Sequence, residues 1–115
     1  MLTKMTNHEV DGISVVTLYG RIVFGEGNNA LREKLKSLIA AGKKKIVLDM
    51  KHIDYIDSSG LGTLVAAHLS ANTQGAAMRL CNLNSKFREV LLLTKLAAVF
   101  QVCSTEAVAV SSFAR

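Results

Sequence analysis

Ile46-Val47-Leu48 is the run that most limits how this chain can fold. Three consecutive apolar β-formers leave neither face of a strand polar, so both faces must be covered. The pattern on either side is helical. Before the run, Leu31, Leu35, Leu38 and Ile39 recur at helix spacing, with Arg32, Glu33, Lys34 and Lys36 on the polar side and Gly42 as a stop. Asn28 or Asn29 is a capping residue for that helix. After the run, Leu61, Leu64, Val65 and His68 form a second stripe over 61–69, and Ala66 and Ala67 allow close packing. A covered strand between two helices predicts an α/β chain.

The flanks complete the order. Lys4 to Val10 and Ile13 to Tyr19 read as strands joined by an Asp11-Gly12 turn, hence a hairpin. Gly20 to Gly27 reads as a loop with three glycines. Gly75 breaks the second helix, and Ala77 to Cys81 reads as a strand. Asn84 or Ser85 caps a short helix with Phe87, Val90 and Leu91 inward. Val99 to Cys103 is the last strand. Ser104 or Thr105 caps a closing helix with Ala107, Val108, Ser111 and Ala114 along one side. A strand pair followed by helix–strand alternation predicts a mixed β-sheet with helices against it, in a single domain spanning 1–115.

Composition narrows the function. Half of the 115 residues are hydrophobic, enough for a packed core. There is no Trp and no Pro, so neither an aromatic cage nor a proline-rich linker is expected. Cys81 and Cys103 stand apart in apolar company and read as buried free thiols, which suits a reducing, cytoplasmic setting. The first residues lack an apolar export core, and no apolar run approaches the ~20 residues that span a bilayer. The net charge of +5 favours an acidic protein partner. The one dense basic run, Lys43-Lys44-Lys45, follows Gly42 and suits the negative pole of the first helix, so direct nucleic-acid binding is not expected.

The chemistry gathers at Asp57-Ser58-Ser59-Gly60-Leu61-Gly62. Ile53 and Ile56 frame Asp54 and fasten the loop that presents Asp57. Asp and Ser at a helix entrance accept bonds from first-turn N–H groups. The same entrance attracts phosphate. Residue types alone support a plain cap and an anion site equally. Gly60 and Gly62 cost helix propensity on either side of Leu61, and are expected to open the entrance to close approach by a partner.

This hexapeptide, after a central strand and at a helix start, resembles the signature of STAS-domain anti-sigma factor antagonists, and the strand–helix order matches over essentially the whole chain. The resemblance implies a STAS fold with helices mainly on one face of the sheet. It implies binding to an anti-sigma factor that is a serine kinase with a histidine-kinase-like ATPase fold, release of a sigma factor, and control by phosphorylation of the second serine, Ser59. Ser58 is left to the cap or the local turn. The expected partner face joins Arg21, Val23 and Glu26 of the Gly20–Gly27 loop to Asp57, Ser58, Ser59, Gly60, Leu61 and Gly62, together with the exposed side of the 61–69 helix, because the two glycines reduce side-chain bulk near the helix entrance. Phosphorylated members commonly carry aspartate where Gly20-Arg21-Ile22-Val23 places Val23, and Glu26 is the nearest carboxylate along the chain. Val23 leaves a second reading open: an unphosphorylated STAS scaffold in a transport or signalling complex.

An enzyme is the rival class. Ser58 or Ser59 would be the nucleophile and His8, His52 or His68 the base, but Asp57 adjoins the serines and is poorly placed to orient any of these. The glycine-rich loop lacks the Lys-Ser/Thr ending of a phosphate-binding loop. Neither a catalytic residue, a metal nor a cofactor is expected. A small serine hydrolase or nucleotide-using enzyme is the remaining alternative of that class.

Overall fold

A computed structural model describes residues 2–23 and 26–113; side chains are described for these except 2, 3, 26–28 and 97. The elements are β1 (Leu2–Val10), β2 (Ile13–Ile22), α1 (Glu26–Ala40), β3 (Lys45–Ile56), α2 (Ser58–Thr73), β4 (Ala77–Cys81), α3 (Ser85–Leu93), β5 (Gln101–Cys103) and α4 (Glu106–Ser112), with a 3₁₀ turn at Leu96–Ala98. The five strands form one sheet in the order β1-β2-β3-β4-β5. β1 is antiparallel to β2, and every later pair is parallel. The expected mixed sheet is therefore present.

Topology explains the layering. Each parallel strand pair needs a crossover, and right-handed crossovers between strands in strict sequential order fall on the same side. α1, α2 and α3 accordingly cover one face, over a core that includes Val16, Leu18, Ile22, Leu35, Leu48, Leu64, Leu80 and Leu91. α4 alone covers a corner of the other face, over Ile13, Val15, Val47 and Cys81. The run Ile46-Val47-Leu48 is split by the pleat: Ile46 and Leu48 enter the large cluster and Val47 the small one. Arg79 holds α4 down, its guanidinium 4.1 Å from the centre of the Phe113 ring and its Nε donating to Ser112 Oγ at 2.9 Å.

The turn residues behave as their chemistry dictates. Asp11 and Gly12 both have positive φ, 52° and 79°, as a two-residue hairpin turn of the I′ type requires. Gly42 ends α1 at φ 85°, where Gly42 N donates to Ile39 O and Lys43 N to Leu38 O, a Schellman closure. Lys43 then pairs with Glu9 at 3.1 Å. Asn84 caps α3, accepting from Phe87 N at 2.8 Å, and Thr105 caps α4, accepting from Val108 N at 3.1 Å.

Four expectations are corrected. β3 does not end after Leu48 but runs on to Ile56, so Ile53 and Ile56 belong to a strand and not to a loop. β2 likewise runs through Gly20 to Ile22 and α1 begins at Glu26, which removes most of the expected Gly20–Gly27 loop and puts Asn28 and Asn29 inside the helix, beyond any cap position. Phe24 and Gly25 lie outside the described residues. On α3, Phe87 and Leu91 are buried, but Val90 is exposed. On α4 the inward positions are Ala109, Val110 and Phe113, while Ala107, Val108 and Ser111 are exposed; Ala114 lies outside the described residues. Sheet contact selects that side of the helix, because Ala109 is the small residue that lets the helix approach Val15 and Val47. Among the described residues no helix is long and apolar enough to cross a membrane.

Candidate functional site

The signature hexapeptide lies where β3 passes into α2, at the carboxyl ends of the parallel strands. Ile56 pairs with Ile22 in the β2–β3 register. Asp57 N then donates to Ile22 O at 3.2 Å, extending the strand contact by one residue. Asp57 has extended backbone (φ −97°, ψ −179°) and is the N-cap of α2. Its Oδ1 accepts from Gly60 N at 2.7 Å, and its carbonyl accepts from Leu61 N at 2.9 Å. The cap is thus the carboxylate of Asp57; of the two parts expected for Ser58, cap or local turn, only the place in the turn is left. Ser58 and Ser59 occupy the first turn of the helix, and both are exposed. Thr63 Oγ1 donates to Ser59 O at 3.1 Å and ties that turn to the next.

The two glycines have different surroundings. A Cβ on Gly60 would lie 2.0 Å from Ile22 O and 2.7 Å from its carbonyl carbon. The close approach at Gly60 is therefore made by the end of β2, within the chain, and the expectation that a partner fills this space is overturned. A Cβ on Gly62 would meet nothing within 4 Å, and the residue is exposed. Between them Leu61 points into the core. Further along α2 the exposed positions are Ala66, Leu69, Ser70, Asn72 and Thr73, so the helix entrance continues into a solvent-facing side of the helix.

The other residues of the expected face are only partly gathered. Arg21 is exposed near the end of β2, opposite Tyr55 in the β2–β3 register. Val23 is half-buried and follows directly after Ile22, whose carbonyl holds Asp57. The backbone of Glu26 opens α1, and its side chain lies outside the described residues. Lys43–Lys45 sit at the opposite end of β3 from Asp57, with Lys44 Nζ donating to Gln74 O at 3.2 Å. That placement separates them from the hexapeptide.

Sequence reading missed a neighbouring groove of about 170 Å³ between the end of β3 and α3, floored by Ile53, Ile56, Phe87 and Val90 and walled by Tyr55. Asn84 spans it, its Nδ2 donating to Ile53 O at 3.1 Å. The exposed Tyr55 beside Ile56 was the available signal, but it is visible as such only once β3 is known to reach that far.

The three histidines named as possible bases are engaged elsewhere. His8 Nε2 is 3.1 Å from Glu106. His52 stacks on Tyr19 with ring centres 4.5 Å apart. His68 lies roughly two and a half turns beyond Ser59 along α2, buried, edge-on to Phe100 and with Nε2 3.3 Å from Asn72. Burial, and then the charge of Arg79, hold its pKa below the ordinary histidine value. Among the described residues no group of three or more His, Cys, Asp or Glu is placed to hold a metal ion.

The sequence matches the profile of the STAS domain over residues 4–109. The chain belongs to the STAS-domain, anti-sigma factor antagonist family. This STAS domain is 31% identical to a putative anti-sigma factor antagonist, BtrV, of Bordetella bronchiseptica, across 96% of this chain and 94% of that one. Its fold is similar to the crystal structure of a putative anti-sigma factor antagonist from Thermotoga maritima, with a TM-score of 0.88 at 23% identity over 96% of this chain and 95% of that one. It is also similar to the Bacillus cell fate determinant SpoIIAA in its phosphorylated form, with a TM-score of 0.72 at 20% identity over 96% and 99% of the two chains.

Proposed function

We propose that this STAS domain is a cytoplasmic anti-sigma factor antagonist that binds an anti-sigma factor through the entrance of α2 and is released when Ser59 is phosphorylated. The observation that carries this reading is the pairing of an exposed Ser59 with an open Gly62 on the next turn, both raised on a helix entrance fixed to β2. The partner face comprises Arg21 and Val23 at the end of β2, Glu26 at the start of α1, and Asp57 to Gly62, with Leu61 and Gly60 supporting it from inside. The partner is a serine kinase with a histidine-kinase-like ATPase fold. Relatives bearing the antagonist name support an anti-sigma factor as the partner.

The switch follows from local charge. A phosphoserine brings roughly −1.5 to −2 charge and three acceptor oxygens. The positive end of α2 tolerates that group, so the fold is kept. Asp57 repels it, and a partner seated over Gly62 meets added bulk and charge. A loss of about 3 kcal/mol in binding lowers affinity on the order of a hundredfold.

The test is intact mass and site mapping after incubation with the co-purified kinase and ATP, beside Ser58→Ala and Ser59→Ala forms. One phosphate that disappears only in Ser59→Ala is the expected result. Phosphate on Ser58, or a kinase that binds tightly and transfers none, removes the switch. The latter outcome favours the reading that Val23 motivates, a constitutive scaffold subunit.

A further inference from the structure

Cys81 closes β4 and Cys103 closes β5, and the two are direct partners in the parallel β4–β5 register. Neighbouring strands lie about 4.7–4.9 Å apart, which falls inside the roughly 4.4–6.8 Å range of Cα separations that disulfides span. Parallel partners in register point to the same face of a sheet. Both cysteines do pack in the small cluster beneath α4. Both thiols are free, Cys81 buried and Cys103 half-exposed. We propose that Cys81 and Cys103 form a cross-strand oxidation site, at which a hydroperoxide closes a disulfide between β4 and β5.

The two thiols take different parts. Burial, reinforced by Asp49, Glu106 and Cys103 itself, pushes the Cys81 thiol up to about 12, so it is a poor first nucleophile. Cys103 is the one an oxidant reaches. Its thiolate attacks the peroxide; the O–O bond breaks, an S–O bond forms, and the alkoxide leaves with the thiol's proton as an alcohol, or as water from hydrogen peroxide. Cys81 Sγ then attacks Cys103 Sγ. The S–S bond forms, the S–O bond breaks, and water departs with the Cys81 proton. Two thiols and one hydroperoxide thus give one disulfide, one alcohol and one water.

The strand that must adjust is the one best able to. β5 has three residues and β4 is its one strand partner in the sheet. The new bond would tie this edge, and α4 directly after it, to the centre of the sheet. Nothing in the bond touches Asp57 to Gly62, so the inference stands apart from the proposed partner binding.

The experiment treats the reduced protein, kept dilute, with hydrogen peroxide, quenches it in acid, and alkylates it with N-ethylmaleimide in denaturant. The expected product is a monomer lighter by two hydrogens, apart from oxygen gained at methionine, that takes up no maleimide, with the Cys81 and Cys103 peptides joined after proteolysis. Cys103→Ser, at a half-exposed position, should keep one alkylatable thiol and show no such loss. Oxidation of the partly exposed Met5 reports that peroxide has acted. Two alkylatable thiols after that point, a sulfinic acid on Cys103 beside an alkylatable Cys81, or a disulfide only between two copies each overturns the proposal.

Discussion

Replacing Gly60 by alanine would set a methyl group 2.0 Å from the Ile22 carbonyl oxygen, against backbone that belongs to the central strand pair. The helix-propensity gain of up to about 1 kcal/mol is outweighed, and we expect Gly60→Ala to lower unfolding free energy by roughly 1–3 kcal/mol. Gly62→Ala meets no neighbour, and should raise it by about 1 kcal/mol. Urea denaturation of the two variants measures both, and a stabilised Gly60→Ala would show the contact to be wrong. On the proposed reading, Gly62→Trp folds and loses the partner. Sequence could not separate these glycines: a residue without a side chain carries no sign of which way it faces, and the distinction depends on where β2 ends. At Asp57 the opposite holds, because a carboxylate at a helix entrance has one favoured use. Asp57→Ala should cost about 1 kcal/mol through loss of the bond to Gly60 N.

Elements were legible where both faces and both edges of a segment are covered. Ala77–Cys81 stands as read because β4 lies between β3 and β5 with helices on its faces. β3 was legible only as far as Leu48. Its partner β4 stops pairing at Asp49, and beyond that point β3 has β2 alone beside it. Lys51, His52, Asp54 and Tyr55 are exposed there, and a strand that is open to water loses the apolar signal by which it is recognised. The converse holds at Val90, an apolar residue of α3 that carries the core signal but borders the groove beside Tyr55 instead of the core. Asn84 joins these two elements, capping α3 and bonding Ile53 of β3. Asn84→Ala should therefore cost more than a plain cap, roughly 1–2 kcal/mol by thermal or urea unfolding. Within α2, His68 ties stability to pH. Its folded pKa lies below its ordinary value of 6.5, so the unfolded chain takes up the proton first. The contribution is complete above that value and diminishes as pH falls below it toward the folded pKa. Between about pH 7.5 and about pH 5.5 the parent should lose more unfolding free energy than His68→Leu does, and equal losses would remove the effect.

At the scale of the molecule, stability is distributed unevenly across the sheet. β2 and β3 form the longest parallel pair, with the large cluster on one side and the small one on the other. β5 is three residues at an edge, and α4 is one short helix on an otherwise open face. Amide exchange should accordingly be slowest in β2 and β3 and fastest, among the strands, in β5. A β5 that outlasts β3 in exchange would contradict this order. The two-faced burial of Ile46-Val47-Leu48 was sufficient to read the α/β class, and the sequential strand order then puts three helices on one side. What no local pattern disclosed was the side taken by α4, since the chain beyond Cys103 is apolar on more than one face and only the sheet selects between them.

The Ile22 carbonyl accepts from Asp57 and abuts Gly60, one residue before the connection to α1 departs from the sheet. That oxygen is a fixed post between two kinds of sequence. On one side of it, changes are felt by the entrance of α2; on the other, from Val23 onward, they need not be. A lineage carrying this arrangement can exchange the residues from Val23 onward while keeping the entrance of α2 unchanged. Randomising positions 23–25 in a selection for new binders, with Ile22 and Gly60 held constant, would draw on the same freedom.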